Sequence, residues 1–464
     1  MRIALILVLG GFVALLDSTV VGVAVHTLAG AFAADLADTQ WVTTGYLLAL
    51  AAVIPATGWA ARRFGATSAW LGSLGVFLVG SVLCGSAWSL GSLVLFRVVQ
   101  GIGAGGLFPL SRVIVMEVAG RERLGRMTAL MAVPVSVAPI VGPVAGGAVL
   151  AGLSWRWVFL LNVPILLAAM VLSALFIPRS RAADVGRLDV LGLLCVSGGI
   201  TGLLFGLSGL GEGRAVTAPE VGPALLLGVA LLGGYAARAS RSSAPGVVEL
   251  SLFRDRAFAA SAALGFLANA GLFAAAFLVP LFYQQAGGGG ALDAGLVLAP
   301  QGLGSLVAVL LVGRLVDVAA ARARTMVLAG LLLVALGTVP FALVGSGSAH
   351  LSRSGALLLG ALFVRGVGLA FAVAPTMKTL YHSLPVARVP AATTANAIGQ
   401  QVGGAAGTAA VAVVLQRCTD RGGAVAGFHA AFWVTLGLIA LAAAPASFLP
   451  DGNGPASGRS RSGR

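Results

Sequence analysis

The chain has 464 residues, of which 58% are hydrophobic and 9% charged, where a soluble domain carries about 25% charged residues. No water-soluble core can hide that much apolar surface, and apolar runs recur at about 20 residues, the length that crosses about 30 Å of hydrocarbon. A polytopic membrane protein follows, built of helices rather than a closed barrel. The formal net charge of +14 comes from arginines set between apolar runs and not along one soluble face, which argues against nucleic acid as a partner and names the lipid bilayer as one.

Met1, Arg2 and the apolar run behind them resemble a signal peptide, with Ala31-Phe32-Ala33 as an AxA site. The run exceeds an ordinary h-region of about 7–15 residues and holds Asp17, so it reads as a retained first span at 3–25. Further spans are predicted near 41–60, 69–88, 91–115, 127–151, 157–177, 188–210, 221–237, 257–282, 292–315, 325–345, 354–375, 393–415 and 428–448, about fourteen by the length criterion. Alternate loops are the basic ones: Arg62 and Arg63; Arg121, Arg123 and Arg126; Arg179, Arg181 and Arg187; Arg238, Arg241, Arg254 and Arg256; Arg322 and Arg324; Lys378 and Arg388. Those loops, and with them both termini, are expected on the cytoplasmic side. The intervening loops carry little charge, the last of them being the exception with Arg417 and Arg421. Residues 239–256 form the longest polar linker and 287–290 a glycine loop, and the tail at 451–464, rich in Gly, Ser, Pro and Arg, has a disordered composition.

Asp17, in LLDSTVVGVAV, and Arg97, in LFRVVQGIGAGGLFP, are charges inside apolar runs. Each costs about 2.5–3.5 kcal/mol at mid-membrane, so such residues face a partner or a watery pathway. At about 1.5 Å per residue, Asp17 lies roughly 21 Å and Arg97 about 20 Å from the inner face of a 30 Å core, so the two can meet. Two readings stand: an ion pair that fixes the packing of the first and fourth helices, or a carboxylate that exchanges a proton as water, a substrate cation or Arg97 approaches or withdraws. Gly101, Gly103 and Gly106 satisfy GxGxxG, but no strand precedes them and they sit in a membrane helix, which excludes a nucleotide loop and points to close helix packing.

PIVGPVAGG, with Pro139, Gly142, Pro143, Gly146 and Gly147 in the fifth span, offers glycines on one face and a kink. GWAARRFG (Gly58, Arg63, Gly65) and GRLVDVAA (Gly313, Asp317) follow the second and tenth spans and are either latches between bundles or plain membrane-edge anchors. A second arginine-glycine stretch, LFVRGVGLAFAVAP, holds Arg365; aligning the glycines sets Arg365 opposite Gln100, not Arg97. With Gln100 and Arg365, the polar residues Asn269, Tyr283, Gln284, Gln285, Asn396, Gln400 and Gln401 are candidates to line a cavity or to glue helices. Cys84, Cys195 and Cys418 show neither CxxC nor pairing, so no disulfide or metal site is expected. No HExxH, GxSxG or Walker sequence occurs, so no enzyme and no cofactor is expected and the energy is assigned to a gradient.

LDSTVVGVAV, RVVQGIGAG, GPVAGG and WRWVFLLNVP (Trp155 to Pro164), in that order over nearly the whole chain, resemble the major facilitator superfamily, and within it the fourteen-span drug:proton antiporters. The resemblance implies a six-helix bundle at 1–180, two inserted helices within 181–245, a second six-helix bundle at 246–450 and alternating access around a central cavity. It further implies proton coupling through Asp17 and Arg97, and a GPVAGG helix that marks antiport. The expected function is proton-coupled export of small amphiphilic drugs or antibiotics across the cytoplasmic membrane by a monomer. A dedicated metabolite exporter, a proton symporter, or a membrane sensor or scaffold are the alternatives. One departure stands out: the family's first cytoplasmic motif, GxLaDRxGr, has Arg62 in place of its acid, with Ala66 and Thr67 in place of basic residues, so Asp317 is expected to carry more of the inner latch.

Overall fold

The computed structural model describes residues 2–131, 133–180, 182, 188–241, 246–285, 297–315, 323–343, 353–382, 384 and 388–449. Every regular element among them is helical. In chain order they are α1 (Arg2–Phe32), α2 (Leu36–Phe64), α3 (Ala66–Gly85), α4 (Leu90–Met131), α5 (Val133–Gly152), the short α6 (Trp157–Leu160), α7 (Asn162–Phe176), α8 (Val190–Gly211) and α9 (Val221–Arg241). A 3-10 turn at Leu250–Arg254 leads into α10 (Arg256–Gln285), α11 (Ala299–Leu315), α12 (Ala323–Leu343), α13 (Arg353–His382) and α14 (Val389–Ser447).

Among the described residues eleven helices are long and apolar enough to cross a membrane. One of them, α14, is 59 residues long and breaks at Gly423, whose φ of 81° and ψ of 169° lie outside the helical region, so it holds two crossings. The 20 residues of α5 and the 17 of α11 supply two more. The fourteen crossings expected from the apolar runs are thereby accounted for. Two loops expected between spans are helical instead. The stretch through Arg121, Arg123 and Arg126 continues α4 to Met131, because Arg, Glu, Leu and Met favour helix and no proline intervenes before Pro134. Arg417 and Arg421 likewise lie within α14, where Gly423 alone turns the chain, with a positive φ that glycine adopts at little cost.

Lipid is as apolar as leucine, so helix association here rests on close packing and polar contacts, not on hiding hydrophobic surface. Helices α1 to α4 and α7 pack around Leu7, Trp70, Phe77, Leu107 and Leu166, and Trp70 Nε1 donates to Ser173 Oγ at 3.0 Å. Helices α10, α12, α13 and α14 gather around Phe282, Phe341, Phe428 and Phe432, with Phe282 5.4 Å from Phe428 and 6.2 Å from Phe341 between ring centroids.

The inserted helices α8 and α9 form a hairpin along their glycines: Gly199 and Gly202 of α8 lie against Gly228 of α9. Asp189 caps α8 by accepting from the Gly192 N–H at 2.9 Å and holds Arg238 of α9 at 2.8 and 3.0 Å. At the other end Arg214 pairs with Glu212 and Glu220 at 2.8 and 2.7 Å. The hairpin touches both bundles. Ser197 Oγ donates to the Ala52 carbonyl of α2 at 2.6 Å, Gly213 meets Gln416 of α14, and Val196 and Ile200 share an apolar cluster with Ala51, Ala391 and Ala395.

Candidate functional site

The first polar centre is assembled by five helices. Asp17 comes from α1, Arg97 and Gln100 from α4, Tyr46 and the Val42 carbonyl from α2, Ser81 and Cys84 from α3, and Asn162 from the start of α7. Arg97 and Gln100 are three residues apart and so share a helix face. Arg97 Nη1 donates to Asp17 Oδ2 at 2.5 Å and to Gln100 Oε1 at 2.7 Å, and Arg97 Nε donates to the Val42 carbonyl at 3.0 Å. The other carboxylate oxygen, Asp17 Oδ1, accepts from Gln100 Nε2 at 3.0 Å and Asn162 Nδ2 at 2.7 Å. Gln100 Nε2 also donates to Ser81 Oγ at 2.8 Å, and Cys84 lies 3.7 Å from Gln100 Oε1. The Tyr46 ring lies 4.0 Å from the guanidinium carbon of Arg97, a cation–π contact, and its hydroxyl donates to the Ala14 carbonyl at 3.2 Å.

Asp17, Arg97, Gln100, Asn162 and Tyr46 are all at most 1% exposed. The depth match counted along the sequence is met by the geometry. Of the residues around it, Asn162, Tyr46 and Ser81 were not singled out in the sequence. Asn162 sits in WRWVFLLNVP, where a lone amide in an apolar run is the signal; Tyr46 and Ser81 offered none.

Close contacts of glycines fix this centre. Gly101 faces the Tyr46 carbonyl and Gly103 the Phe77 backbone, so both are packing positions. On α5, Gly142 abuts the side chain of Thr19 and Gly146 lies against Val20, two and three residues beyond Asp17. Thr19 Oγ1 donates to the Ala138 carbonyl of α5 at 3.4 Å. Gly147 faces open space; the side chains of Pro139 and Pro143 lie outside the described ones.

The second half repeats the same crossings with different side chains. Gly80 faces the backbone of Gln100 as Gly337 faces that of Arg365, and Gly101 faces the Tyr46 carbonyl as Gly366 faces that of Gln301. Arg365 therefore stands where Gln100 stands in the first half, the register read from the sequence, and Gln301 stands where Tyr46 does. Arg365 is 1% exposed. Its Nη1 donates to Gln301 Oε1 at 2.7 Å and its Nη2 to the Gly271 carbonyl at 3.4 Å, and its Nε has no partner.

Asn396 and Gln400 approach α10 at Gly265, whose carbonyl accepts from Asn269 Nδ2 at 2.9 Å. Asn396 is 1% exposed with neither amide atom partnered, and Gln401 is half-buried beside Gln400. Tyr283, with an unpartnered hydroxyl, lies twelve residues beyond Gly271 on α10, about 18 Å away along the axis. Gln284 is exposed, and the Gln285 side chain is outside the described ones. The structure thus gathers Arg365 and Gln301 at one level and Asn269, Asn396 and Gln400 at another, and leaves Tyr283 and Gln284 apart.

At the end carrying the basic loops the two bundles meet. Gly58 of α2 is flush with Pro390 and Thr394 of α14, and Thr57 Oγ1 lies 3.3 Å from Thr394 Oγ1. Arg62 pairs with Glu249 at 3.5 Å, and Arg388 approaches the same carboxylate at 3.9 Å. Glu249, in the linker before α10, was not singled out in the sequence, where no local pattern marks it. Gly65, with φ of 83°, turns α2 into α3 and meets the Ser180 carbonyl. Thr67 Oγ1 donates to the Pro178 carbonyl at 2.8 Å, which ties that turn to the end of α7 in the absence of the usual basic residues. Arg63 has interactions of its own; Gly313 lies in the last turn of α11, which ends at Leu315; Asp317 falls outside the described residues.

Comparison with known proteins agrees with this architecture. A multidrug resistance protein B homolog of Mycobacterium tuberculosis is 35% identical over 415 residues, covering 89% of this chain and 76% of that one. A protein of Serratia proteamaculans named MdtD for multidrug resistance is 31% identical over 339 residues, covering 73% and 70%. The proton:xylose symporter XylE superposes with a TM-score of 0.67 at 16% identity, covering 97% of this chain and 96% of that one, a likeness of fold alone. The family profile described as Major Facilitator Superfamily matches residues 7–408; the chain belongs to that superfamily and is a multi-pass membrane transporter, not an enzyme.

Proposed function

We propose that the chain is a proton-coupled antiporter that exports small amphiphilic compounds across the cytoplasmic membrane. The observation that carries this reading is the enclosure of Asp17, whose two oxygens accept three donors inside the membrane. A neutral Asp17 would hold the Arg97 guanidinium less firmly than the carboxylate does, so proton exchange there is tied to a shift of α1 against α4 and α7. The Gly142 and Gly146 contacts beside Asp17 pass that shift to α5. Multidrug-resistance names among the relatives support the substrate class.

Around this centre we place a substrate cavity between a bundle at 1–180 and a bundle at 246–450, with the hairpin of 181–245 on their seam. The basic loops put both termini in the cytoplasm, and the Gly58, Thr57, Arg62 and Glu249 contacts then close the cytoplasmic end in this conformation. A membrane potential supplies about 2.3 kcal/mol per charge per 100 mV and each pH unit about 1.4 kcal/mol, enough to drive export uphill. Vesicles of purified protein with an imposed pH gradient test the direction: an antiporter moves an amphiphilic dye against the proton flow. Movement of dye with the protons, or none in wild type, contradicts the proposal.

A further inference from the structure

The two halves share their helix crossings but differ in charge balance. In the first, the buried guanidinium has its acid: Arg97 with Asp17. In the second, Arg365 is as deeply buried, and its hydrogen-bond partners among the described residues are a neutral amide oxygen and a backbone carbonyl. The sequence leaves little to compensate it. From Arg256 to Pro450 the only acids are Asp293, Asp317 and Asp420, and none falls within the apolar part of a span. Arginine keeps its proton, and a charge set in a membrane protein is retained where it serves a pathway or a ligand.

The free part of Arg365 has a shape. Nη1 is taken up by Gln301, but Nε is unpartnered and Nη2 holds a single contact of 3.4 Å. The Nε and Nη2 edge is a planar fork that matches the two oxygens of a carboxylate with parallel N–H bonds. A second unfilled group lies nearby. Asn396 has no partner for its amide nitrogen or oxygen while 1% exposed, and it meets α10 at Gly265, six residues from Gly271, about 9 Å along the axis. Buried polar atoms without partners are uncommon enough to need a cause, and a ligand is one.

We propose that this second centre receives the carboxylate of an amphiphilic anion or zwitterion on the Nε and Nη2 edge of Arg365, with Gln301 positioning the guanidinium and Asn396, which meets α10 six residues before the Arg365 contact, taking a polar group of the same molecule. The inference deepens the transport reading and rests on it for the substrate's route: Arg365 is sealed in this conformation, so the anion enters when the bundles rearrange. It assigns the second half to the substrate's charge and leaves the proton to the first.

Binding of radiolabelled deoxycholate and of its uncharged methyl ester to detergent-purified protein tests this directly. Wild type is expected to favour the carboxylate at least tenfold. Arg365→Gln is expected to lose that preference while still binding the ester, which also reports that it is folded, and Arg365→Lys to recover part of it, as a charge without the fork. A preference unchanged in Arg365→Gln overturns the assignment, as does a wild type that binds both compounds equally. A preference erased by equal concentrations of chloride identifies a simple halide site and also overturns it. Absence of any flux in vesicles would instead count against transport, since binding is read without a gradient.

Discussion

Asp17 accepts three hydrogen bonds inside the membrane, and each donor has a separate consequence when removed. Taking away one member of a buried ion pair leaves the other uncompensated, at about 3–5 kcal/mol, whereas removing both is far milder. Arg97→Gln is therefore expected to lower the melting temperature in detergent more than the double variant Asp17→Asn with Arg97→Gln; equal or additive losses would count against a coupled pair. Asn162→Ala deletes a hydrogen bond to a charged acceptor, worth about 1.5–3 kcal/mol, and thermal unfolding is expected to register that cost. A silent Asn162→Ala variant would mean that Asn162 is not part of the network. The contact of Arg97 with Asp17 was legible from depth counting, because both sit alone in apolar runs. Tyr46 was not, since its role depends on which helix faces α4, and nothing local to α2 records that.

Among the helices, glycine contacts decide what can slide. Gly142 is filled against Thr19 while Gly147 faces open space, although the sequence presents both as members of one motif. Gly142→Ala is expected to impair transport and Gly147→Ala to be tolerated, with Thr19→Ala restoring part of the activity of Gly142→Ala; equal effects of the two alanines on vesicle flux would refute the packing account. The α8–α9 hairpin has its own clip. The Arg238 hydrogen bond, with help from the Gly192 N–H, holds the Asp189 carboxyl below its usual range. A depressed carboxylate contributes stability above its unfolded value near 3.9, and that contribution fades as pH falls through the lower folded value. The hydrogen-exchange protection of the start of α8, corrected for the intrinsic pH dependence of exchange, is expected to fall in strong acid in wild type and to be low already near neutrality in Arg238→Gln. Helix number and order were readable because lipid demands runs of about 20 apolar residues. The extension of α4 and the helical stretch around Arg417 were not, because charge marks a membrane edge without saying whether the backbone stays helical there.

Across the whole molecule, two halves built on the same crossings have diverged, one keeping an acid with its arginine and the other an arginine without one. The Arg62 substitution put a latch in doubt at the sequence level; the structure answers with Glu249, reached by Arg62 and Arg388 from the two sides of the seam. Glu249→Gln is expected to shift spin-label distances across the ends of α2 and α14 towards an open population, and unchanged distances would show that Thr57, Gly58 and Thr394 suffice to hold the closure. A linker carboxylate could not be placed from the sequence because its partners lie nearly 190 residues before it and nearly 140 after it. The coupling role of Asp17 is tested most directly by proton release from purified, weakly buffered protein on addition of a transported amphiphile. The account predicts release from wild type and none from Asp17→Asn that still binds the compound; a substrate-dependent proton signal that survives in Asp17→Asn would contradict it.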